Sequence, residues 1–274
     1  MQRKVALITG ASHGVGRAIS IALARDGYSV ALLARSRREL EVTASRIRKE
    51  GREAEVYATD ISRPADLEHI KEPLVRRFGR LDAMVHCAFG HIGEDDGKSL
   101  LHVATSQLED FGRTSVLGAW YITRLVAPLL RKFGGRAVYV IADWGLPQHN
   151  IMLTTGPSSR VRIGSEVFVS AKYAVAGLAV AMERSLAIPT TGIYPGIIAS
   201  ARQSARGQRG KQRYFDLDDP EAAIDAEPAY RHGWAIPLSD VTASVLLALH
   251  SKSCVRAISL KPLTPDYEGL HAAQ

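Results

Sequence analysis

The sequence predicts a single-domain α/β fold, a doubly wound parallel β-sheet with helices on both faces. Short apolar runs alternate with amphipathic stretches at helical spacing along most of the chain. The apolar runs show no polar alternation, which is typical of strands that are buried on both faces. A length of 274 residues with 46% hydrophobic and 23% charged residues suits one domain with an ample core.

Each element follows from a local pattern. Short, mainly apolar runs indicate the strands, residues spaced along one helical face indicate the helices, and Gly27, Ser36 and Pro64 mark helix ends or starts. The predicted strands cover residues 5–8, 28–34, 54–58, 81–88, 136–142, a short run that ends at 194–196, and 255–260. The predicted helices begin at 14, cover 36–51 and 64–78, and then run over about 105–133, 164–186 and 239–250.

The first strand leads into the glycine-rich turn Thr-Gly-Ala-Ser-His-Gly-Val-Gly at residues 9–16. Glycine is needed in such a turn because the chain bends tightly and a ligand has to approach the backbone without meeting a Cβ atom. The helix that follows directs free N–H groups and the positive end of its dipole at that ligand. A strand, this turn and an amphipathic helix in this order predict a Rossmann-type site for the pyrophosphate of a dinucleotide.

Composition limits the remaining function classes. No apolar run approaches the roughly 20 residues that span a bilayer, and the apolar run near the start ends too early for a signal peptide. The cysteines Cys87 and Cys254 are far apart, so we expect no disulfide framework, no metal site and a reducing, cytoplasmic setting. The net charge of +7 is read as a mildly basic surface.

A polar insertion at residues 199–237 interrupts the α/β pattern. Its first part is basic and its second part is acidic, so the charges offset each other, and aromatic residues are not interleaved with the basic ones. Nucleic-acid binding is therefore not expected. We interpret the insertion as a substrate lid, with a solvated surface loop as the alternative.

Taken together, these residues resemble the short-chain dehydrogenase/reductase family over nearly the whole chain. The motifs that carry the resemblance are the glycine-rich turn, Asp60, residues 81–90, Ser-Ala-Lys at 170–172 and Pro195-Gly196. The resemblance implies a nicotinamide dinucleotide held by Gly10, Ser12, His13, Gly14, Val15, Gly16, Arg35, Ser36, Asp60, Ile61, Cys87, Ala88, Phe89, Lys172, Pro195, Gly196 and Ile198. Asp60 would contact the adenine, and Pro195-Gly196 would border the nicotinamide.

The residue that ends the second strand indicates which dinucleotide is bound. An acidic residue at this point would repel a 2′-phosphate, whereas a guanidinium attracts one and can bind it through two hydrogen bonds. The sequence has Arg35 there, and His13 lies in the glycine loop where phosphate-specific relatives often carry a basic side chain. We therefore expect NADP(H) as the cofactor.

The catalytic positions of the family are mostly replaced. Alignment with the family's tyrosine, serine and asparagine places Phe168, Ala142 and Ser115 at these positions, and only the lysine, Lys172, is retained. In the family the tyrosine protonates the carbonyl oxygen as hydride arrives, and the lysine lowers the pKa of the tyrosine and holds the nicotinamide ribose. Loss of the general acid costs roughly 10²–10⁴-fold in rate, so ordinary ketone reduction should be crippled.

The sequence leaves three interpretations open. Hydride can go to an iminium or a conjugated C=C bond, where Phe168 would stabilise a cation. Alternatively, a relocated acid supports carbonyl reduction; Asp143 is the first candidate, followed by His91, His149, Tyr173 and Glu166. The third interpretation is a non-redox role, as a cyclase or a dinucleotide-binding module.

The sequence indicates the class of substrate and the kind of assembly, but not the substrate itself. Ala142, Trp144, Phe168 and Tyr194 would line a mainly apolar pocket, which favours a mid-sized hydrophobic or aromatic substrate. The catalytic set that we expect is Lys172, Asp143 and Ser115. The long apolar helix at 105–133 and the helix that carries Lys172 commonly pair between subunits in the family, which implies a homodimer or homotetramer.

Overall fold

The computed structural model describes residues 3–90, 100–142, 166–196, 198 and 236–260. The strands are β1 (Val5–Thr9), β2 (Ser29–Ala34), β3 (Ala54–Ala58), β4 (Ala83–His86), β5 (Arg136–Val140), β6 (Thr190–Pro195) and β7 (Ala257–Leu260). The helices are α1 (Gly14–Arg25), α2 (Arg37–Lys49), α3 (Pro64–Phe78), α4 (Thr105–Gly112), α5 (Gly118–Phe133), α6 (Glu166–Leu186) and α7 (Leu238–His250). A 3₁₀ turn covers Leu100–His102, and a π-helical stretch, the π segment, covers Arg113–Leu117.

The seven strands form one parallel sheet in the order β3-β2-β1-β4-β5-β6-β7. The chain builds outward in one direction from β1 to β3 and in the other direction from β4 to β7, so the topological switch point lies between β1 and β4. Thr9 and His86, at the carboxyl ends of these two strands, are partners in the register. Ligands of open α/β sheets bind in the crevice outside this point. The predicted Rossmann-like single-domain fold is confirmed.

Both faces of the sheet are covered by helices. Side chains alternate between the faces: Leu7 packs in the layer with α3, α5 and α6, and its neighbours Ala6 and Ile8 pack in the layer with α1, α2 and α7. Leu7 and Ile8 have no exposed surface, and burial of each such side chain stabilises the fold by roughly 1.5–3 kcal/mol. This two-sided burial explains why the strands appear as continuous apolar runs.

Most element bounds lie close to the predicted ones, with two corrections. The predicted long helix at 105–133 consists of α4, the π segment and α5. The predicted strand at 81–88 is shortened to Ala83–His86, because Cys87 and Ala88 turn their N–H groups to Thr9 instead of continuing the ladder. The cap predicted at Ser36 is confirmed, since its hydroxyl accepts from the N–H of Glu39 at 3.4 Å.

The insertion predicted at 199–237 begins and ends beside the sheet. Ile198 and Ile236 form a parallel bridge, so the two ends of the insertion lie next to each other. Residues 199–235, and with them the lid interpretation, lie outside the described residues. Among the residues that the structure describes, no helix has both the length and the apolar character needed to cross a membrane.

Candidate active site

The glycine-rich turn packs directly on the residues that follow β4. Gly10 has a φ of +70°, and a Cβ there would lie 3.0 Å from the backbone nitrogen of Ala88. A Cβ on Gly16 would lie 2.2 Å from the carbonyl oxygen of Gly10. This clash is with the backbone of the turn itself, so a change of side-chain rotamer could not remove it. These contacts explain why the motif requires glycine at both positions.

A buried arginine holds the turn against α2. Arg17 is only 2% exposed, and its guanidinium donates to the carbonyl oxygen of Ser12 and, at 3.0 Å, to the hydroxyl of Thr43. The same guanidinium lies 3.3 Å from the carboxylate of Glu39. Thr43 in turn donates to the carbonyl oxygen of Ala11 at 2.9 Å. The turn is therefore fixed by side chains from two helices before any ligand arrives.

The N-terminus of α1 fits an anionic group. His13 occupies the N-cap position without a side-chain hydrogen bond to the helix, its side chain is exposed, and the first turn contains no acidic residue. Gly14 and Val15 are partly exposed, so the first N–H groups are accessible from the crevice. Free N–H groups and the helix dipole favour phosphate binding at such an end.

The residues predicted to hold the adenosine lie at the ends of β2 and β3. Arg35 and Ser36 are exposed, and no acidic residue follows β2 directly. Asp60 is half-buried, and its Oδ1 accepts from the N–H of Ser62 at 2.9 Å and from the Ser62 hydroxyl at 2.7 Å. The side chain of Ile61 is buried against α5, where it closes on Gly118. Ile61 can therefore face a cofactor only through its backbone.

Thr9 joins the ends of β1 and β4 at the switch point. Its Oγ1 accepts from the N–H groups of Cys87 and Ala88, both at 3.1 Å, and lies 2.9 Å from Nδ1 of His86. Two accepted hydrogen bonds occupy both lone pairs of the hydroxyl, so its proton points at Nδ1. Nδ1 is therefore an acceptor, and the proton of the neutral His86 ring is on Nε2.

His86 is 2% exposed and lies 5.7 Å, centroid to centroid, from the ring of Tyr139. Burial, with a smaller contribution from the charge of Lys172, lowers the pKa of His86 to about 3. The ring is therefore neutral at physiological pH. Its Nε2 is buried and has no hydrogen-bond partner within the described part of the chain. Burial also raises the pKa of Cys87 to about 12, so this residue is a neutral thiol.

Lys172 projects from α6 toward the carboxyl end of the sheet and lies between two aromatic rings. Its Nζ is 3.6 Å from the ring centroid of Phe89 and 5.2 Å from that of Phe168. The residue is 6% exposed, and desolvation lowers the pKa of Lys172 to about 7. Within residues 3–90, 100–142, 166–196, 198 and 236–260, its ammonium has neither a carboxylate partner nor a hydrogen-bond acceptor.

The two rings beside Lys172 belong to a small aromatic cluster. Phe89 makes edge contacts with Phe111 and Phe168, at centroid distances of 5.3 Å and 5.1 Å. Phe111 is buried on α4, whereas Phe89 and Phe168 are partly exposed. The cluster therefore gives the lysine an apolar wall.

Ser115 lies in the π segment and is completely buried. Its hydroxyl accepts from the N–H of Gly90 at 2.9 Å, which ties the π segment to the chain that follows β4. Single π turns occur frequently at functional sites because they redirect side chains within a helix. The structure thus brings Ser115 next to the backbone of Gly90, one residue beyond Phe89.

The remaining predicted site residues within the described part of the chain follow β5 and β6 or lie at the end of β6. Pro195 and Gly196 follow β6, and the N–H of Gly196 donates to Leu260 at 2.9 Å. Ile198 packs beside the sheet, and Ala142 follows β5 and is half-buried. The ring of Tyr194 lies across Gly192 in the core, which favours a packing role, and its position in a pocket stays a prediction.

Several candidate proton donors lie outside the described residues. These are Asp143, His91 and His149, and the predicted pocket residue Trp144 lies there as well. Glu166 and Tyr173 lie on α6 and are partly exposed. The described residues contain no cluster of histidine, cysteine or carboxylate side chains that could hold a metal ion.

Sequence reasoning overlooked three parts of this site: His86, the cluster residue Phe111, and the contact between Phe89 and Lys172. Phe89 was expected at the cofactor, yet its ring also covers the lysine. A histidine near the end of a predicted buried strand was the signal that the sequence offered for His86. No pattern in the sequence indicated the π segment.

Two known proteins are similar to this chain in sequence. An uncharacterized oxidoreductase of Mycobacterium tuberculosis is 33% identical over 132 residues, which is 48% of this chain and 49%, about half, of that protein. The 3-oxoacyl-[acyl-carrier-protein] reductase FabG of Staphylococcus epidermidis is 27% identical over 206 residues, covering 74% of this chain and 78% of that protein.

A solved structure and a family model extend the likeness. The alcohol dehydrogenase of the archaeon Thermococcus sibiricus, solved in complex with 5-hydroxy-NADP, superposes with a TM-score of 0.73 at 25% identity and covers 96% of this chain and 99% of its own. The model described as short chain dehydrogenase matches residues 4–210 of the 274. The chain therefore belongs to the short chain dehydrogenase family, a family of oxidoreductases with a nicotinamide-dinucleotide-binding fold.

Proposed function

We propose that this protein is an NADP(H)-dependent reductase that transfers hydride to an activated C=N bond or a conjugated C=C bond of a mid-sized, largely apolar substrate. The observation that carries the proposal is the surroundings of Lys172. Two phenyl rings enclose its ammonium, and neither ring has a hydroxyl that could pass a proton to an alkoxide. Acceptors that do not require a concerted proton fit this site best.

The choice of bond follows from charge development. Hydride addition to an iminium removes a positive charge and gives a neutral amine directly. Addition to a conjugated C=C bond gives a delocalised anion, which water can protonate in a later step. Phe168 presents an aromatic face beside the lysine, and such a face stabilises a cation by about 0.5–2 kcal/mol.

The choice of cofactor follows from the exposed rim of the crevice. When bound, the reduced cofactor supplies the hydride. The N-terminus of α1 would hold its pyrophosphate, and Arg35 with His13 would attract a 2′-phosphate at the end of β2. Lys172, Pro195 and Gly196 would border the nicotinamide end. The bound 5-hydroxy-NADP of the archaeal alcohol dehydrogenase supports the phosphorylated cofactor.

Stopped-flow absorbance at the NADPH band tests the proposal. The full chain is mixed with NADPH or NADH and with a cyclic iminium, an enal and a simple ketone in separate experiments. We expect oxidation of NADPH by the iminium or the enal and little oxidation by the ketone. Rapid turnover of the ketone by the wild-type chain, or the failure of every acceptor despite NADPH binding, contradicts it.

A further inference from the structure

One ion pair joins the glycine-rich turn to the first turn of α2. Arg17 on α1 is 2% exposed, and its guanidinium lies 3.3 Å from the carboxylate of Glu39, whose side chain is 40% accessible. The same guanidinium donates to the carbonyl oxygen of Ser12 in the turn and, at 3.0 Å, to the hydroxyl of Thr43. Glu39 is therefore held by an arginine whose own position is fixed by two further hydrogen bonds.

Basic residues surround the N-terminus of α2. Arg35 precedes the helix, Arg37 and Arg38 lie in its first turn, and all three side chains are exposed. Positive charges at this end of a helix oppose its dipole, so an anion bound there would remove an unfavourable interaction. Glu39 is the acidic residue of the same turn. The cation that Glu39 pairs with therefore decides how strongly this end of α2 attracts a phosphate.

The two glutamates of α2 are both engaged by cations other than Arg35. Glu39 pairs with Arg17, and Glu41 lies 3.1 Å from Arg48. In the part of the chain that the structure describes, Arg35 accordingly has no carboxylate partner. A guanidinium in this condition can bind a phosphate through two hydrogen bonds without first giving up an ion pair.

We propose that Glu39 is a specificity-determining residue, and that its ion pair with the positioning residue Arg17 sustains a preference for NADPH over NADH. Without Arg17, the carboxylate would turn to Arg35 or face the 2′-phosphate. In both cases the attraction between the protein and that phosphate would weaken. This inference rests on the NADP(H) cofactor of the proposed function and adds the device that keeps an acidic residue from opposing it.

The contacts of Arg17 have different consequences for the two cofactors. Its hydrogen bond to Ser12 supports the turn that would hold the pyrophosphate, which NADPH and NADH share. Loss of that bond should therefore weaken the binding of both cofactors to the same extent. The ion pair with Glu39 concerns the 2′-phosphate, which only NADPH carries. The ratio of the two dissociation constants thus isolates the effect of the ion pair from the support of the turn.

Fluorescence titration of the full chain with NADPH and with NADH, in the absence of substrate, tests the inference. We expect Arg17→Met to lower the preference for NADPH about fivefold, the effect of two unit charges about 4 Å apart in water. Glu39→Gln added to Arg17→Met removes the exposed charge and should return the preference to within about twofold of wild type. An unchanged ratio in Arg17→Met, or no recovery in the double variant, overturns the inference.

Arg48 provides a matched control on the same helix. It also joins a glutamate of α2 to a backbone carbonyl, since it contacts Glu41 at 3.1 Å and donates to the carbonyl oxygen of Ala54 at 3.1 Å. Two positions along the helix place Glu41 about 200° around the axis from Glu39. We expect Arg48→Met to keep the wild-type ratio. A loss of preference as large as that in Arg17→Met would contradict the assignment to Glu39.

Two variants of the partly exposed Glu39 keep the test independent of any folding defect in Arg17→Met. Glu39→Asp keeps the charge but shortens the side chain by one methylene group and withdraws it from Arg17, whereas Glu39→Gln removes the charge. We expect the preference for NADPH to fall in Glu39→Asp and not in Glu39→Gln, and equal ratios in these two variants contradict the inference. A wild-type chain that binds NADPH no better than NADH refutes the proposed cofactor, whereas a wild-type preference that survives in Arg17→Met and Glu39→Asp refutes this inference alone.

Discussion

Replacement of Thr9 by valine tests the contact that joins the two halves of the sheet. Valine has the same shape and the same branched Cβ, so strand preference and packing change little. The substitution removes the hydroxyl that accepts from Cys87 and Ala88 at 3.1 Å and contacts His86 at 2.9 Å. Three hydrogen bonds at about 1 kcal/mol each predict a loss of about 3 kcal/mol in the free energy of unfolding.

Thr190→Val is the matched control on β6. Thr190 is 3% exposed, and its hydroxyl makes one hydrogen bond, to the carbonyl oxygen of Ile188 at 2.8 Å. The same reasoning predicts a loss of about 1 kcal/mol. Urea unfolding followed by fluorescence and by circular dichroism gives both free energies under identical conditions. Equal losses in the two variants would show that Thr9 does not act as a threefold contact.

Four further predictions concern charge and chemistry. The pKa of His86 in the folded state lies near 3, so only the unfolded state binds its proton as the pH falls below 6.5. The free energy of unfolding, measured in urea, should therefore drop by about 2 kcal/mol from pH 7 to pH 5, and this pH dependence should be weaker in His86→Asn. Lys172→Met removes a group whose folded pKa is lowered to about 7, so the variant should be more stable than wild type by roughly 2–4 kcal/mol at pH 7, and urea unfolding should show this gap closing toward pH 10. Arg35→Asp should weaken NADPH binding at least tenfold in a fluorescence titration and favour NADH, and an unchanged preference would remove the cofactor assignment. Phe168→Tyr combined with Ala142→Ser should produce measurable ketone reduction, because it places a phenol beside Lys172 and a hydroxyl at position 142; NADPH absorbance checks it, and no gain would contradict the alignment of these two positions with the family's tyrosine and serine.

The fold could be predicted because its signals are local. Apolar runs that are buried on both faces gave β1 to β3 nearly to the residue, and Pro64 and Ser36 marked the starts of α3 and α2. The glycine turn was predictable for the same reason, since the requirements of Gly10 and Gly16 are steric and arise within a few residues. The parallel direction of the strands then follows from the alternation of strands and helices.

The arrangement of the site depends on contacts between distant parts of the chain, which no local pattern records. Thr9 and His86 are 77 positions apart and meet only because β1 and β4 are neighbours in the sheet. The edge contact between Phe89 and Phe168 joins the end of β4 to α6. Spacing along α6 placed Phe168 four residues before Lys172, but the ring that comes closest to the ammonium arrives from another element.

The surroundings of Lys172 depend on both rings. A phenol beside a lysine offers a hydroxyl that accepts from the ammonium when neutral and pairs with it when ionised, and both contacts keep the lysine charged. A phenyl ring offers only its face, whose attraction of about 0.5–2 kcal/mol is smaller than the cost of burying the charge. Burial therefore lowers the pKa of Lys172 to about 7. Phe89 and Phe168 thus present two ring faces to the ammonium of Lys172 and no phenol hydroxyl.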